Sequence, residues 1–313
     1  MVNNQIFVHG GKTEAFNEYS YTAAPTSNDL FLLDLTTSFD ASSPSWQYIS
    51  GSANSSSPQG PILAWHTISA YNTSQLLLFG GDGGPNSPIV LPNQSDSAEI
   101  LGIGASATPS WTSENEGWAD EPSRRIHHAT ASFGGRVFLI GGEKDDGSGL
   151  GYSDHYVFDP SVPSFTQLST SNAPPDIYGH ACVVLSDGRL LVFGGYSQSE
   201  SQLLPMTTIW SLDMTQNTPE WSTLDVSGEN VPPGRRAFAS VWTEGEKVLI
   251  HGGSDAEFQT SFSDGWLLDT TTNPMTWANL TGLANLGARR DHFAVQVGSQ
   301  IIFGFGTCAG FTS

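Results

Sequence analysis

The feature that most constrains this chain is a strand that recurs with one ending. Ile6–Gly11 reads IFVHGG, Leu76–Gly81 LLLFGG, Val137–Gly142 VFLIGG, Leu190–Gly195 LLVFGG and Val248–Gly253 VLIHGG. A sixth copy, Ile301–Gly306, reads IIFGFG, with Phe305 in the place of the first glycine. The closing glycines lie 53 to 70 residues apart. Each apolar run is short and continuous, as for a strand buried on both faces. Glycine follows where the chain turns with no room for a Cβ. Self-similarity at a fixed period means that one supersecondary unit is repeated, and no unit of this kind buries its apolar face alone.

The rest of the unit repeats too. Asp29–Asp34 (DLFLLD), Asp154–Asp159 (DHYVFD) and Asp264–Asp269 (DGWLLD) share a strand framed by aspartates, and Thr208–Asp213 keeps the step with threonine first. Asp96–Leu101 is the weakest match. An aromatic residue follows each: Trp46, Trp111, Phe165, Trp221 and Trp277. Before each next diglycine strand lies a strand of small residues, around Ala64–Ser69, His128–Ser132, His180–Val184, Phe238–Val241 and His292–Val295. Small side chains suit a strand crowded against its neighbours.

Taken together, the diglycine after an apolar strand, the later aromatic and the unit length resemble the kelch family, over essentially the whole chain. The resemblance implies an all-β fold, a kelch-type β-propeller whose blades each hold four antiparallel strands ordered from axis to rim. The approximate units are 1–50, 58–113, 123–169, 176–225, 234–281 and a partial 287–313. Counting strands predicts three, then four full blades, then two. Six units with incomplete first and last blades is the preferred reading. The alternative is five closed blades plus one spare strand, with the strand around His292 completing the first. An unpaired sheet edge is a hazard, so the chain reads as cut at both ends.

Composition narrows partners. With 31 acidic and 11 basic residues the net charge is −20, which repels phosphates and argues against nucleic acid and anionic membranes. No apolar run is long enough to span a bilayer, so this segment is expected not to insert. Cys182 and Cys308 are the only cysteines, too few for a disulfide framework. Four sequons, at Asn54, Asn72, Asn93 and Asn279, are candidate glycosylation sites, although the abundance of Ser and Thr produces them readily by chance. The residues after Met1 read as a strand and not as a signal peptide, yet from the composition an extracellular or secretory-pathway protein is expected.

In an up-and-down blade the loops after the diglycine and the loops entering the inner strand emerge on one face. The loops after the diglycine are long and acidic, carrying Glu14, Glu18, Asp82, Asp96, Glu143, Asp145, Asp146, Asp255 and Glu257. Long loops on a rigid scaffold are where binding residues concentrate. Arginine pairs, Arg124-Arg125, Arg235-Arg236 and Arg289-Arg290, enter three inner strands on that same face. Two roles fit them. They can bond aspartates and carbonyls and so tie adjacent blades together, or they can form a ring of donors that grips a carboxylate or acidic peptide. Arg125, Arg235, Arg236, Arg289, Arg290, Asp145, Asp146 and Asp255 are therefore the candidate ligand-binding residues.

His66, His128, His180 and His292 share one place in the repeat, which a repeat consensus explains without a metal. His9 and His251, just before the diglycine, read as packed. Trp65, Trp118 and Trp242 depart from the repeat and could stack on a sugar. The resemblance also raises copper-radical oxidases of this fold, whose site needs tyrosine and histidine ligands and a cysteine joined to a tyrosine. No matching set occurs. The iron motif of plant specifier proteins is half present, in Glu116 and Asp120, with Arg124 where histidine is needed. No catalytic residues, metal site or cofactor are assigned. The reading is a non-catalytic propeller that binds a protein, a peptide or a carbohydrate. A carbohydrate-active or copper-oxidase propeller is the alternative.

Overall fold

In the computed structural model the described residues are 1–13, 24–40, 43–51, 58–84, 97–104, 109–113 and 117–308. Asn54, Asn93, Glu14, Glu18, Asp96 and Glu116 fall outside them. Four antiparallel sheets of four strands each follow the chain in order. They are Thr67–Ala70, Gln75–Phe79, Ala98–Ile103 and Pro109–Ser113; Ala129–Phe133, Arg136–Ile140, His155–Asp159 and Ser164–Gln167; Ala181–Val184, Arg189–Phe193, Ile209–Asp213 and Trp221–Leu224; and Ala239–Thr243, Lys247–His251, Gly265–Asp269 and Thr276–Asn279. A three-stranded sheet, Gln5–Lys12, Thr26–Asp34 and Gln47–Ser50, precedes them. A two-stranded sheet, Phe293–Val297 and Gln300–Gly304, follows them. The strand after His292 thus opens a sixth sheet with the degraded diglycine strand. The first sheet, as described, has three strands.

The diglycine strands are the most buried. Val137 to Ile140 and Leu190 to Phe193 are all 0% exposed. A fully buried side chain of this size contributes about 1.5–3 kcal/mol relative to exposure. Strand-final aspartates have a local reason for recurring. Asp34, Asp159, Asp213 and Asp269 each accept a backbone N–H two residues on, from Thr36, Ser161, Thr215 and Thr271, at 2.9–3.0 Å. Such an aspartate closes the hairpin to the outermost strand. Among the described residues no helix is long and apolar enough to cross a membrane.

The chain divides into two compact units. The first is Met1–Ile126 with Gly134–Val137 and Val157–Thr166; the second is His127–Phe133, Phe138–Tyr156 and Gln167–Ser313. In the second unit the inner strands Ala129–Phe133, Ala181–Val184, Ala239–Thr243 and Phe293–Val297 run side by side in chain order.

Packing explains the diglycine. At Gly141 the φ is +55° and a Cβ would stand 2.2 Å from the carbonyl of Ile177; at Gly252 the φ is +67° and the distance to the Arg289 carbonyl is 2.3 Å. Both carbonyls belong to the entry of the next repeat. The second glycine donates its N–H to that same entry: Gly142 to Ile177, Gly195 to Arg235 and Gly253 to Arg289, each at 2.8 Å. In the first unit Gly11 bonds Leu63 at 2.8 Å and Gly81 bonds Arg125 at 2.9 Å. One backbone bond therefore staples each repeat to the next.

Candidate functional site

The staple positions three consecutive residues at the entry of each inner strand. The first, whose carbonyl is stapled, is enclosed at Arg125 and Arg235, both 0% exposed, and half-buried at Arg289. The second is Tyr178, Arg236 or Arg290 in successive repeats of the second unit. The third holds a left-handed backbone: Trp65 (φ 56°), His127 (53°), Gly179 (65°), Ala237 (59°) and Asp291 (54°). In the second unit these third residues are chained. Gly179 N–H donates to the His127 carbonyl, Ala237 to Gly179 and Asp291 to Ala237, each at 2.8 Å. The chain of bonds sets the spacing of the side chains that flank it.

The arginine pairs split along this pattern. Arg235 forms a bidentate pair with Asp264, at 2.8 and 2.9 Å, and donates to the Gly252 carbonyl at 3.0 Å. Its guanidinium lies 4.7 Å from the Phe262 ring centre. Burial alone would raise the Asp264 carboxyl, but hydrogen bonds from Arg235 and Trp266 hold it below the usual carboxylate range. Arg125 is equally buried, with Nε donating to the Ser123 carbonyl at 3.1 Å. These two are corrected from ligand-binding candidates to structural residues, because an enclosed guanidinium is not offered to a ligand. Arg235 also braces its own repeat through Asp264. Its backbone carbonyl, not its side chain, ties it to the preceding one.

Arg236, Arg289 and Arg290 are half-buried, and Arg236 and Arg290 stack on Phe258. The Arg236 guanidinium stacks 3.8 Å from the Phe258 ring centre, with Tyr196 at 5.4 Å and Tyr178 at 5.8 Å. It donates a hydrogen bond to the Ala256 carbonyl. Arg290 lies 4.8 Å from the same Phe258 ring and donates to the Phe258 carbonyl at 3.0 Å. Arg289 donates to the Phe305 carbonyl at 3.1 Å. A guanidinium carries five N–H donors in a planar fork. Stacking fixes that plane, and Asp291 Oδ2 stands 3.9 Å from Arg290 Nε.

The acidic candidates mostly shape loops. Asp255 accepts from the backbone N–H groups of Gln259 and Thr260, at 2.8 and 2.9 Å, and so folds the segment that presents Phe258. Asp146 is exposed and caps its own turn through the Ser148 N–H at 2.9 Å. Asp145 is half-buried in the same loop. Glu143 pairs instead with His127, Oε1 to Nδ1, at 2.6 Å. A small sheet steadies the neighbouring loops: Ile177–Tyr178 pairs with Tyr196–Ser197, which pairs with Gln202–Leu203. Burial, then the Glu143 carboxylate, pushes the Tyr178 phenol up to about 12.

Sequence reasoning passed over Phe258, Tyr178, Tyr196 and the His127–Glu143 pair as a group. The available signal was positional. Tyr196 immediately follows a diglycine, and Tyr178 occupies the repeat place of Arg236.

The repeat-place histidines wedge between sheets. His66 Nε2 lies 3.1 Å from His9 Nδ1, and His292 Nε2 lies 3.0 Å from His251 Nδ1. His9 and His251 are buried, as expected. A Cβ on Gly10, Gly141 or Gly252 would meet the Cε1 of His66, His180 or His292 at 2.9–3.1 Å. Burial drives the imidazoles of His66 down to about 4 and of His180 and His292 to about 3, so all three are neutral near pH 7. Among the described residues no group of three or more His, Cys, Asp or Glu side chains could hold a metal ion.

The strand aromatics pack on the preceding sheet. Trp111 lies 5.0 Å from His9, Phe165 5.7 Å from Phe79, Trp221 5.3 Å from His155 and Trp277 6.1 Å from Phe193. Of the departing tryptophans, Trp118 donates to the Ala98 carbonyl at 3.1 Å and packs on Phe158. The Trp65 ring takes Lys12 Nζ at 4.9 Å. Trp242 borders a shallow cavity of about 370 Å³ with Glu244 and Gln296. Burial pushes the Cys182 thiol well up, so it stays protonated. Asn72 and Asn279 are exposed.

A family model for the KLHDC2/KLHL20/DRC7 Kelch-repeats domain matches residues 65–307. The chain is 32% identical to Putative adagio-like protein 2 of Oryza sativa subsp. japonica, over 85% of this chain and 40% of the relative. It is 30% identical to Adagio-like protein 1 of the same organism, over 94% of this chain and 43% of the relative. It is also 27% identical to the serine/threonine-protein phosphatase BSL2 of Arabidopsis thaliana, over 80% of this chain and 25% of that protein. The chain thus spans less than half the length of these relatives. Its repeated diglycine staple, its antiparallel four-stranded blades and this match agree: the chain belongs to the kelch-repeat family and folds as a kelch-type β-propeller.

Proposed function

We propose that this chain is a non-catalytic protein-interaction scaffold that takes a carboxylate-bearing peptide on its long-loop face, gripped by Arg236, Arg289 and Arg290. The carrying observation is the shared Phe258 platform, with Arg236 at 3.8 Å and Arg290 at 4.8 Å from one ring. Two guanidiniums on one ring repel each other, Asp291 at 3.9 Å offsets Arg290 in part, and an anion that pairs with both lowers the remaining cost. Planar forks match a carboxylate bidentately. Tyr178 and Tyr196 add flat, amphipathic area of the kind enriched at protein interfaces.

The test is selection of a random peptide library on the immobilised chain, followed by affinity measurement. Enriched peptides are expected to carry Asp, Glu or a free terminal carboxylate. Arg236→Glu with Arg290→Glu should abolish their binding and leave the thermal melt close to that of the parent. Enrichment by the double variant equal to that of the parent would overturn the proposal.

A further inference from the structure

The arginine platform has an acidic counterpart. Glu143 Oε1 holds His127 Nδ1 at 2.6 Å, with both side chains partly accessible, at 13% and 17%. Glu143 Oε2 accepts no hydrogen bond among the described residues. His127 is tied to the platform by backbone, because its carbonyl accepts the Gly179 N–H at 2.8 Å. Gly179 in turn sits against Arg236, whose Cβ would be 3.1 Å from a Cβ on that glycine. Tyr178 has the Arg236 guanidinium 5.8 Å from its ring centre, and the Glu143 carboxylate raises its phenol after burial does. A positive pole and a negative pole therefore border one tyrosine.

Long-range charge decides which ligand fits. The chain carries a net −20, so a wholly acidic peptide is repelled as it approaches. A peptide that also carries a basic side chain is not, and that side chain finds a carboxylate at the site. Resting on the reading above, we propose that the site is bipolar. It selects a peptide with an acidic group for Arg236 and Arg290 and, within about three residues or on the order of 10 Å of extended chain, a Lys or Arg for Glu143.

His127 is a positioning residue in this scheme. Its backbone is in the left-handed region at φ 53°, which β-carbon-bearing residues adopt at a cost. The corresponding place in the other repeats of the unit holds Gly179, Ala237 and Asp291, so the imidazole is no part of the repeat frame. Its bond to Oε1 orients the carboxylate and leaves the second oxygen to accept from an ammonium or guanidinium.

The experiment repeats the library selection with Glu143→Gln, Glu143→Lys and His127→Asn. The parent should enrich peptides holding an acidic and a basic residue within three positions. Glu143→Gln should keep the acidic preference and lose the basic one, with affinity for a parent-selected bipolar peptide falling roughly tenfold. Glu143→Lys should replace the basic residue by a second acidic one. Changing the basic residue of that peptide to Ala should weaken binding to the parent and leave binding to Glu143→Gln unchanged. Parent-selected peptides with an acidic residue and no basic preference, or a basic preference intact in Glu143→Gln, would overturn the bipolar site while sparing the arginine platform. Failure of the parent to enrich any peptide overturns both.

Discussion

The diglycine corner and the inner-strand entry beside it touch each other in every repeat, yet they follow opposite rules. The corner is nearly invariant. Its first glycine faces a carbonyl of the next repeat and its second donates to the same carbonyl, so side chains are excluded by backbone. The entry varies: the left-handed residue is Trp65, His127, Gly179, Ala237 or Asp291. Its backbone is held by hydrogen bonds that do not depend on the side chain. Repetition therefore marks where backbone meets backbone. Variation marks where the backbone leaves the choice of side chain open. Phe305 shows the same rule from the other side. It takes the first-glycine place of the sixth copy at φ 60° and is 51% exposed, its ring against Phe293.

This contrast can be attacked by substitution. The largest loss of stability is expected at the corner. Gly141→Ala forces a Cβ to 2.2 Å from a carbonyl at a positive φ and should cost about 3 kcal/mol or more in urea unfolding. Next comes Arg235→Met, which strands Asp264. The carboxylate is 31% exposed, so solvent softens the penalty to about 3 kcal/mol rather than the upper end for a buried pair. Arg236→Met, one residue on, should move the unfolding midpoint by less than about 1 kcal/mol and remove peptide binding. Equal losses for the two arginines would break the division between frame and site.

A pH series sharpens the same division. His66, His180 and His292 are neutral in the folded chain down to about pH 4 or 3, whereas unfolded histidine takes a proton near about 6.5. Between those values the unfolded state binds more protons, so stability falls as pH drops from about 6.5 towards 3. His180→Phe copies the natural Phe238 of the next repeat and should flatten that fall when unfolding is measured at pH 7.5 and 5. An unchanged pH slope would remove His180 from the account. A smaller loss than at Gly141 is expected from Gly134→Ala. No atom lies within 4 Å of its Cβ, leaving only the left-handed strain of about 1–2 kcal/mol.

Much of the fold was legible because its periodicity is local. Apolar runs, diglycines and strand-final aspartates each answer to neighbours a few residues away, and counting them predicted the order of sheets. The site was less legible. Adjacent arginines looked equivalent in sequence, but Arg235 meets Asp264 and Arg236 meets Phe258, partners 29 and 22 residues away. The acidic loops look alike in sequence, although Asp255 and Asp146 brace turns while Glu143 holds a histidine.

What the sequence determined alone was the kelch repeat: a corner that only glycine can turn is written into the chain itself. What only the tertiary structure decided was the use of each charge. Burial, stacking and pairing depend on which repeat lies alongside, and that neighbour is brought up by the fold.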